Sequence, residues 1–187
     1  MSRAKYQLLP LAFSFVLVTS LRAQNPTATT PDLSDPEVAH VAVTANSIDI
    51  DLAKFAQTRA SNGAVKQFAA TMITDHTAVN AQAAALAAKL GVTPADNAVS
   101  QSLENGAKDA RASLQLLHGA AFDRAYIDRE IAYHQAVLDA IDKVLVPTTE
   151  NAELRTLLTD VRPAVATHLE HAKQLRTQLG HAPRTDK

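Results

Sequence analysis

Apolar residues recur along most of this chain at the three- and four-residue spacing of an amphipathic helix, and no stretch alternates in the manner of a strand. The spacing predicts four long helices, which cover approximately residues 36–60, 64–90, 122–146 and 152–180. Two tight turns connect the first helix to the second and the third to the fourth. Pro163 is expected to kink the fourth helix or to split off its first turns.

The connection between the second and third helices is much longer, at about thirty residues. Its sequence predicts a loop over GVTPADNA, followed by one or two short helices that are broken at Gly106. Four long helices with a single long crossover predict an all-α fold, specifically a ferritin-like four-helix bundle spanning residues 36–180.

Residues 1–23 have the composition of a secretory signal peptide. Two basic residues precede an apolar run over residues 8–18, and cleavage is expected near Ala23. That run is too short to span a membrane and no second run is long enough, so we expect no transmembrane anchor. The mature protein is then periplasmic or secreted, with a flexible leader at residues 24–35 and a disordered tail at residues 181–187.

Charge and cysteine content disfavour several classes of function. The mature chain keeps fifteen of the eighteen basic residues and all nineteen acidic ones, which gives a net charge of −4. Because no cluster of Lys and Arg is present to neutralise phosphates, we expect no nucleic-acid partner. The lack of cysteine excludes disulfides, thiolate chemistry and a lipid-modified cysteine. A homodimer is compatible with these properties, and the sequence indicates no other protein partner.

Three histidines occupy positions where the helical pattern expects an apolar residue. His76, His134 and His168 each lie on the inward stripe near the middle of a different predicted helix. A buried polar group costs free energy unless something bonds to it. One such histidine is most often a satisfied core residue, whereas three on three helices favour a shared polar layer.

Carboxylates are expected at the same level of the bundle. At about 1.5 Å per residue, Asp49 and His76 lie at similar distances from the turn between the first two helices. Asp49 and Asp51 flank the first stripe on opposite sides, and either could lean inward. Glu130 precedes His134 by four residues and so shares its helix face.

Such a layer has two interpretations. Carboxylates and imidazoles are ligands for iron, manganese or zinc, which makes Asp49, Glu130 and the three histidines candidate metal ligands. The same groups can instead satisfy one another with no metal at all. Asp51 and Asp75 are candidates for orienting a ligand from outside the set, or are simply solvated. Tyr126, one turn before Glu130, could donate its hydroxyl into the layer or be a packed core tyrosine.

Three stretches resemble a known family: VKQFAATMITDHTAVN at 65–80, GAAFDRAYIDREIAYHQAVLD at 119–139 and RPAVATHLEHAKQL at 162–175. Over about residues 36–180 the chain is similar to an exported bacterial ferritin-like family of unknown function, whose members are often labelled "predicted outer membrane protein". The resemblance implies a four-helix domain after a signal peptide, and no established activity. The family usually has glutamate at the position of Asp49, and Glu130-x-x-x-His134 is not the E-x-x-H motif of ferritin-like di-iron proteins. A standard di-iron centre therefore does not carry over.

These features leave two functions open and do not decide whether the protein is an enzyme. In the first, the protein binds a metal in the cell envelope and has a redox or metal-handling role. In the second, it is a non-enzymatic envelope or stress-related module whose buried network only specifies the bundle. A hydrolase is disfavoured, because no cysteine is present and the spacing supports no Ser-His-acid trio.

Overall fold

The computed structural model describes residues 31–181, so the predicted signal peptide lies outside the described residues. Five long helices account for most of this region: α1 (Asp35–Arg59), α2 (Gly63–Leu90), α3 (Ala98–Gln115), α4 (Gly119–Ala140) and α5 (Ala152–His181). Residues 31–181 contain no strand, so the all-α prediction is confirmed, with five long helices rather than four. None of these helices combines the length and hydropathy needed to cross a membrane.

Short polar residues begin four of these helices. Ser34 and Glu37 form a capping box at α1, in which the Glu37 carboxylate accepts from the Ser34 backbone N–H at 2.9 Å. Asn62 at α2 and Asn97 at α3 accept from backbone N–H groups of the first turn. Asn151 does the same at α5. Each helix start is therefore specified locally by the sequence.

The contacts between helices fix their directions. α1 packs against α2, and α4 packs against α5, as the two short connections require. Asp123 and Tyr133 of α4 contact Ser61 and Ala45 respectively, which makes α4 antiparallel to α1. Since α2 is also antiparallel to α1, α2 and α4 run in the same direction and need a long crossover. That crossover contains α3, which packs against α1 and α4.

The crossover helix differs from the prediction. α3 is continuous through Gly106, so the predicted break does not occur. A glycine inside a helix costs only about 1 kcal/mol relative to alanine. Leu103, Ala107 and Leu114, on both sides of this glycine, pack in the apolar core. Their burial outweighs the weak propensity of one residue.

Irregularity falls in the segment after α4 rather than in α5. α5 continues through Pro163, so the predicted split does not occur. Leu158 and Val165 are buried on either side of the proline and hold both parts of the helix against the bundle. α4 instead passes into a π-helical turn, Ile141–Leu145, and a short helical turn, Val146–Thr148.

Buried apolar side chains form two clusters, one toward each end of the bundle. The first cluster includes Phe68 and Phe122, close to the α1–α2 turn. The second includes Val41 and Leu145, close to the connection between α4 and α5. Leu33 is buried in the second cluster, so the end of the segment predicted as a flexible leader is packed against the bundle.

Asp123 fastens the α1–α2 turn to α4. Its side chain is buried, and its carboxylate accepts hydrogen bonds from the backbone N–H groups of Ser61 (2.9 Å) and Asn62 (3.0 Å) and from the Ser61 hydroxyl. One side chain therefore satisfies three donors of this turn.

We expect Asp123→Ala to lower the free energy of unfolding by about 2–3 kcal/mol, because it leaves buried donors unpaired. Urea denaturation monitored by circular dichroism measures the loss. Asp128→Ala is the matched control, since it removes an exposed carboxylate of the same helix that pairs with Arg176. The control should cost less than about 1 kcal/mol. Equal losses in the two variants would contradict this role for Asp123.

Candidate functional site

A cluster of polar side chains lies between the two apolar clusters, near the middle of the bundle. The structure brings together all five residues predicted as candidate ligands, and all five are buried: Asp49, His76, Glu130, His134 and His168. They come from α1, α2, α4 and α5, so every helix except α3 contributes. We refer to these five residues as the polar cluster.

Asp49 is at the centre of this polar cluster. Its Oδ2 lies 2.8 Å from His76 Nε2 and 3.4 Å from His134 Nε2. Its Oδ1 lies 3.7 Å from a guanidinium nitrogen of Arg129. None of the three atoms Asp49 Oδ2, His76 Nε2 and His134 Nε2 has a hydrogen bond of acceptable geometry among the described residues. Two imidazole nitrogens therefore face one carboxylate oxygen without a proton aligned between them.

The orientation of His76 is fixed by Asn46. The Asn46 side-chain amide donates to the Ala42 carbonyl at 2.9 Å, which assigns the opposite atom, Oδ1, as the acceptor that lies 2.6 Å from His76 Nδ1. His76 Nδ1 therefore carries a hydrogen. In the neutral ring the lone pair is then on Nε2, the atom that faces Asp49.

The other two imidazoles are held in the same way. His134 Nδ1 lies 2.9 Å from the backbone carbonyl oxygen of Glu130, so it is the donor and Nε2 carries the lone pair. His168 Nε2 lies 2.9 Å from Asp75 Oδ2, and its buried Nδ1 has no partner among the described residues. Each imidazole thus has one nitrogen bonded to an oxygen, and a second nitrogen that makes no hydrogen bond of acceptable geometry within the described part of the chain.

The three rings form a nearly equilateral triangle. Their centres are separated by 5.7 Å (His76 to His134), 5.3 Å (His76 to His168) and 5.5 Å (His134 to His168). One nitrogen from each ring lies within 4.8 Å of the other two. A second group of ligand atoms, from Asp49, Glu130 and His134, meets the same distance limit.

The two carboxyl groups of the polar cluster have pKa values shifted in opposite directions. Burial alone raises the pKa of Asp49, but its neighbours His76, His134 and Arg129 outweigh burial and hold that pKa well below its usual range. Burial, and then the charge of Asp49, raise the pKa of Glu130 well above its usual value. Asp49 therefore favours the ionised form, and Glu130 binds a proton more readily than an exposed glutamate does.

Burial also keeps two of the imidazoles neutral. It lowers the pKa of His134 to about 4, and the negative charge of Asp49 opposes this only in part. Burial lowers the pKa of His168 as well, against the hydrogen bond to Asp75. Neutral imidazole is the form that binds metal ions, so both rings are in the competent state at pH 7.

The three residues predicted to support the ligands lie in different environments. Asp75 is partly exposed and contacts His168, as one interpretation expected. Tyr126 is fully buried, and its hydroxyl has no hydrogen-bond partner in residues 31–181. Asp51 is not brought into the polar cluster, since its side chain is 76% exposed and lies 4.0 Å from Lys54. Positions 49 and 51 are about 200° apart around a helix, so only one of the two can face inward.

The sequence matches the family model of a domain of unknown function (DUF4142) over residues 19–175. The matched range includes every residue of the polar cluster. The chain belongs to this family. No curated protein and no solved structure gives a significant match to the chain. Because the DUF4142 family has no assigned activity, the function has to be argued from the geometry of the polar cluster.

Sequence reasoning missed two residues of this DUF4142 site. Arg129 places one guanidinium nitrogen 2.7 Å from Glu130 Oε1 and packs its guanidinium 3.9 Å from the centre of the Tyr133 ring. Asn46 orients His76. Arg129 is one position off the apolar stripe, so helical periodicity alone does not indicate that it is buried. Asn46 had a detectable signal, because it precedes Asp49 by three residues and so shares its helix face.

The depressed pKa of His134 predicts how stability depends on pH. Its folded pKa of about 4 lies below the usual 6.5, so the unfolded chain binds a proton more readily. The stability due to neutral His134 is therefore complete above pH 6.5 and is lost as the pH falls toward 4, by about 3 kcal/mol. Glu130 acts in the opposite direction, since its raised pKa makes the folded state bind the proton more readily above pH 4.5.

The contribution of His134 to the pH dependence of stability is therefore measured as the difference between two proteins. Urea denaturation of chelator-treated wild-type protein and of His134→Gln, between pH 7.5 and 4.5, should show that the wild type loses more stability on acidification. Glu130 is present in both proteins, so most of its contribution cancels. Parallel pH profiles for the two proteins would refute a buried neutral His134.

Proposed function

We propose that this DUF4142 protein is an exported, ferritin-like protein that binds one transition-metal ion through His76, His134, His168 and Asp49, and that it acts in redox chemistry or metal handling. The topology supports the ferritin-like part: α2 and α4 are parallel and are joined by the long crossover that such bundles use. Export rests on the signal-peptide pattern of residues 1–23.

One observation carries the metal proposal: each of three buried imidazoles has one nitrogen fixed by an oxygen, and its other nitrogen makes no hydrogen bond of acceptable geometry among residues 31–181. This is the arrangement that metal-binding histidines adopt, in which the second nitrogen donates to a carbonyl or carboxylate that orients the ring. A purely structural histidine gains nothing from a second nitrogen that is buried and unpaired, since the unpaired atom costs free energy.

The separations of the three rings match those expected for ligands of a single ion. An ion about 2.1 Å from each nitrogen, with tetrahedral angles, separates the ring centres by about 5.2 Å. The observed separations run from 5.3 to 5.7 Å. The distances of 2.8 and 3.4 Å from Asp49 Oδ2 to the two imidazole nitrogens also match ligand-to-ligand distances of about 3 Å around such an ion.

The position of Arg129 favours one ion rather than two. The second ligand group, Asp49, Glu130 and His134, already has this guanidinium 2.7 Å from Glu130 and 3.7 Å from Asp49. A cation bound there would be repelled by Arg129 in a region of low dielectric constant. Asp49 presents Oδ1 to Arg129 and the other oxygen, Oδ2, to His76 and His134.

Ligand chemistry limits the choice of metal. Three imidazoles and a carboxylate suit iron, manganese or zinc. The polar cluster offers no thiolate, because the chain has no cysteine. Iron or manganese would supply redox chemistry, and zinc would supply Lewis acidity.

The alternative is a structural network without metal, in a non-enzymatic envelope module. Arg129 is the observation that favours it, because this buried cation already balances the charge of Asp49. In that case a proton on His76 Nε2 takes the place of the ion. The polar cluster then specifies how the helices pack and has no chemistry of its own.

Metal content separates the two functions. Protein exported to the periplasm and purified without a His-tag or chelator should contain roughly one ion per chain by elemental analysis. His76→Ala and His134→Ala should each lose most of it. His118→Ala is the matched control, since His118 caps α4 outside the polar cluster, and its metal content should not change.

The network alternative predicts a different pattern in the same variants. Metal content would be negligible in the wild type, and each histidine variant would instead lose roughly 1–3 kcal/mol of stability because a buried partner is left unpaired. Chelator would also leave the wild-type melting temperature unchanged, whereas a bound ion at a hundred times its dissociation constant contributes about 2.7 kcal/mol.

Asn46 tests whether the ring orientation of His76 matters. Asn46→Ala removes the acceptor that holds Nδ1–H, so we expect metal affinity to fall about 10- to 100-fold in competition titrations. Asn46→Asp keeps an acceptor at that position and should restore most of the affinity. Asn80→Ala, which removes another hydrogen bond between α1 and α2, is the control. Equal affinities in Asn46→Ala and Asn80→Ala would exclude an orienting role.

A further inference from the structure

Two apolar cavities lie along the same half of the bundle. The inner cavity, of about 60 Å³, has Asp49 and the three imidazoles of the polar cluster in one wall, and otherwise mostly aliphatic side chains of α1, α4 and α5. The outer cavity, of about 70 Å³, is enclosed mostly by alanine, valine and leucine of α1, α2 and α5, and extends to Val92 and Asn151 at the end of the bundle.

The two cavities are neighbours that share part of their walls. Five residues line both of them: Ala42, Asn46, Val79, Leu158 and Val161. From His76 to Leu90 the wall formed by α2 covers about 20 Å at 1.5 Å per residue. Together the cavities follow the bundle from its end to the polar cluster.

The second half of α2 explains the open space. All buried residues of α2 lie at or before His76. Beyond it, Val79, Ala83 and Leu86 face α5 but are only partly buried. The many alanines in this half are too small to fill the gap to α5.

The volumes decide what these cavities can hold. An apolar cavity of about 150 Å³ stays free of water and binds benzene or xenon. Each of these cavities has less than half that volume. Drug-sized ligands occupy pockets of about 300 Å³ or more, so a lipid chain or an aromatic ring does not fit. Water is disfavoured in the outer cavity, because its mostly aliphatic walls offer few hydrogen-bond partners.

We infer that the two cavities form a path for a diatomic apolar gas such as dioxygen. The gas passes along it from the end of the bundle to the imidazoles of the polar cluster. The inference rests on the proposed function for what the gas meets at the inner end. It adds the chemical class of a second ligand, besides the metal ion: a small, uncharged and apolar molecule.

Xenon tests the cavities without any metal. Crystals of metal-free protein pressurised with xenon should show the atom in both cavities. Ala83→Phe, which places a ring in the outer cavity, should remove the outer xenon. Ala85→Phe adds the same ring on the exposed side of α2 and should leave both sites occupied. Ala83→Leu replaces Ala83→Phe if the larger side chain prevents folding.

Nitric oxide tests the path, since it has the size of dioxygen and binds ferrous iron without needing an oxidant. Protein loaded with ferrous iron is mixed anaerobically with nitric oxide in a stopped-flow spectrometer. The association rate should fall at least tenfold in Ala83→Phe and be unchanged in Ala85→Phe, with equal iron content in both.

Different results would overturn the gas path and the proposed metal-binding function. No xenon in either cavity, or an unchanged association rate in an Ala83→Phe protein whose outer cavity is filled, would overturn the gas path. The latter result would mean that gas enters beside Asp75, where the polar cluster comes nearest to solvent. Xenon in both cavities of a chain that binds no iron, manganese or zinc would refute the proposed function and leave the gas-binding cavities standing.

Discussion

The ionised carboxylate of Asp49 is buried among α1, α2 and α4, and a charge in that position is stable only when other groups compensate for it. Arg129 and His134 approach it from α4, and His76 approaches it from α2. One charge on α1 therefore holds two other helices at a fixed level. Together with burial, this charge raises the pKa of Glu130, because a second ionised carboxyl group this close would be unfavourable.

The location of the polar cluster between two apolar clusters strengthens every interaction in it. Aliphatic and aromatic side chains above and below exclude water, and electrostatic interactions are stronger in the resulting low dielectric constant. The same burial that lowers the pKa of His134 keeps that ring neutral and able to act as a ligand. An ion bound here would meet ligands that are already oriented, with little reorganisation required.

The two halves of the bundle differ in how closely their helices are packed. Near the α1–α2 turn, Asp123 and the aromatic side chains of the first apolar cluster make a closely packed end. Toward the other end, α2 has no buried residue after His76, and the space between α2 and α5 remains as cavities. The densely packed half contributes most of the stability of the fold. The loosely packed half contains the cavities that lead to the polar cluster.

The sequence by itself predicted four of the five long helices, their order and the five candidate residues of the polar cluster, because helical periodicity indicates the approximate face and level of each side chain. Periodicity says nothing of how far a long side chain reaches, so Arg129 was missed although it neighbours Glu130 in the chain. Periodicity also does not compare the low helix propensity of one glycine with the free energy gained by burying the apolar face of the helix. This is why the continuity of α3 through Gly106 was not predicted. Which carboxyl group has its pKa lowered, and which nitrogen of His76 is bonded to Asn46, were decided only by the tertiary structure. Both depend on distances of a few ångströms between different helices and on the exclusion of water there.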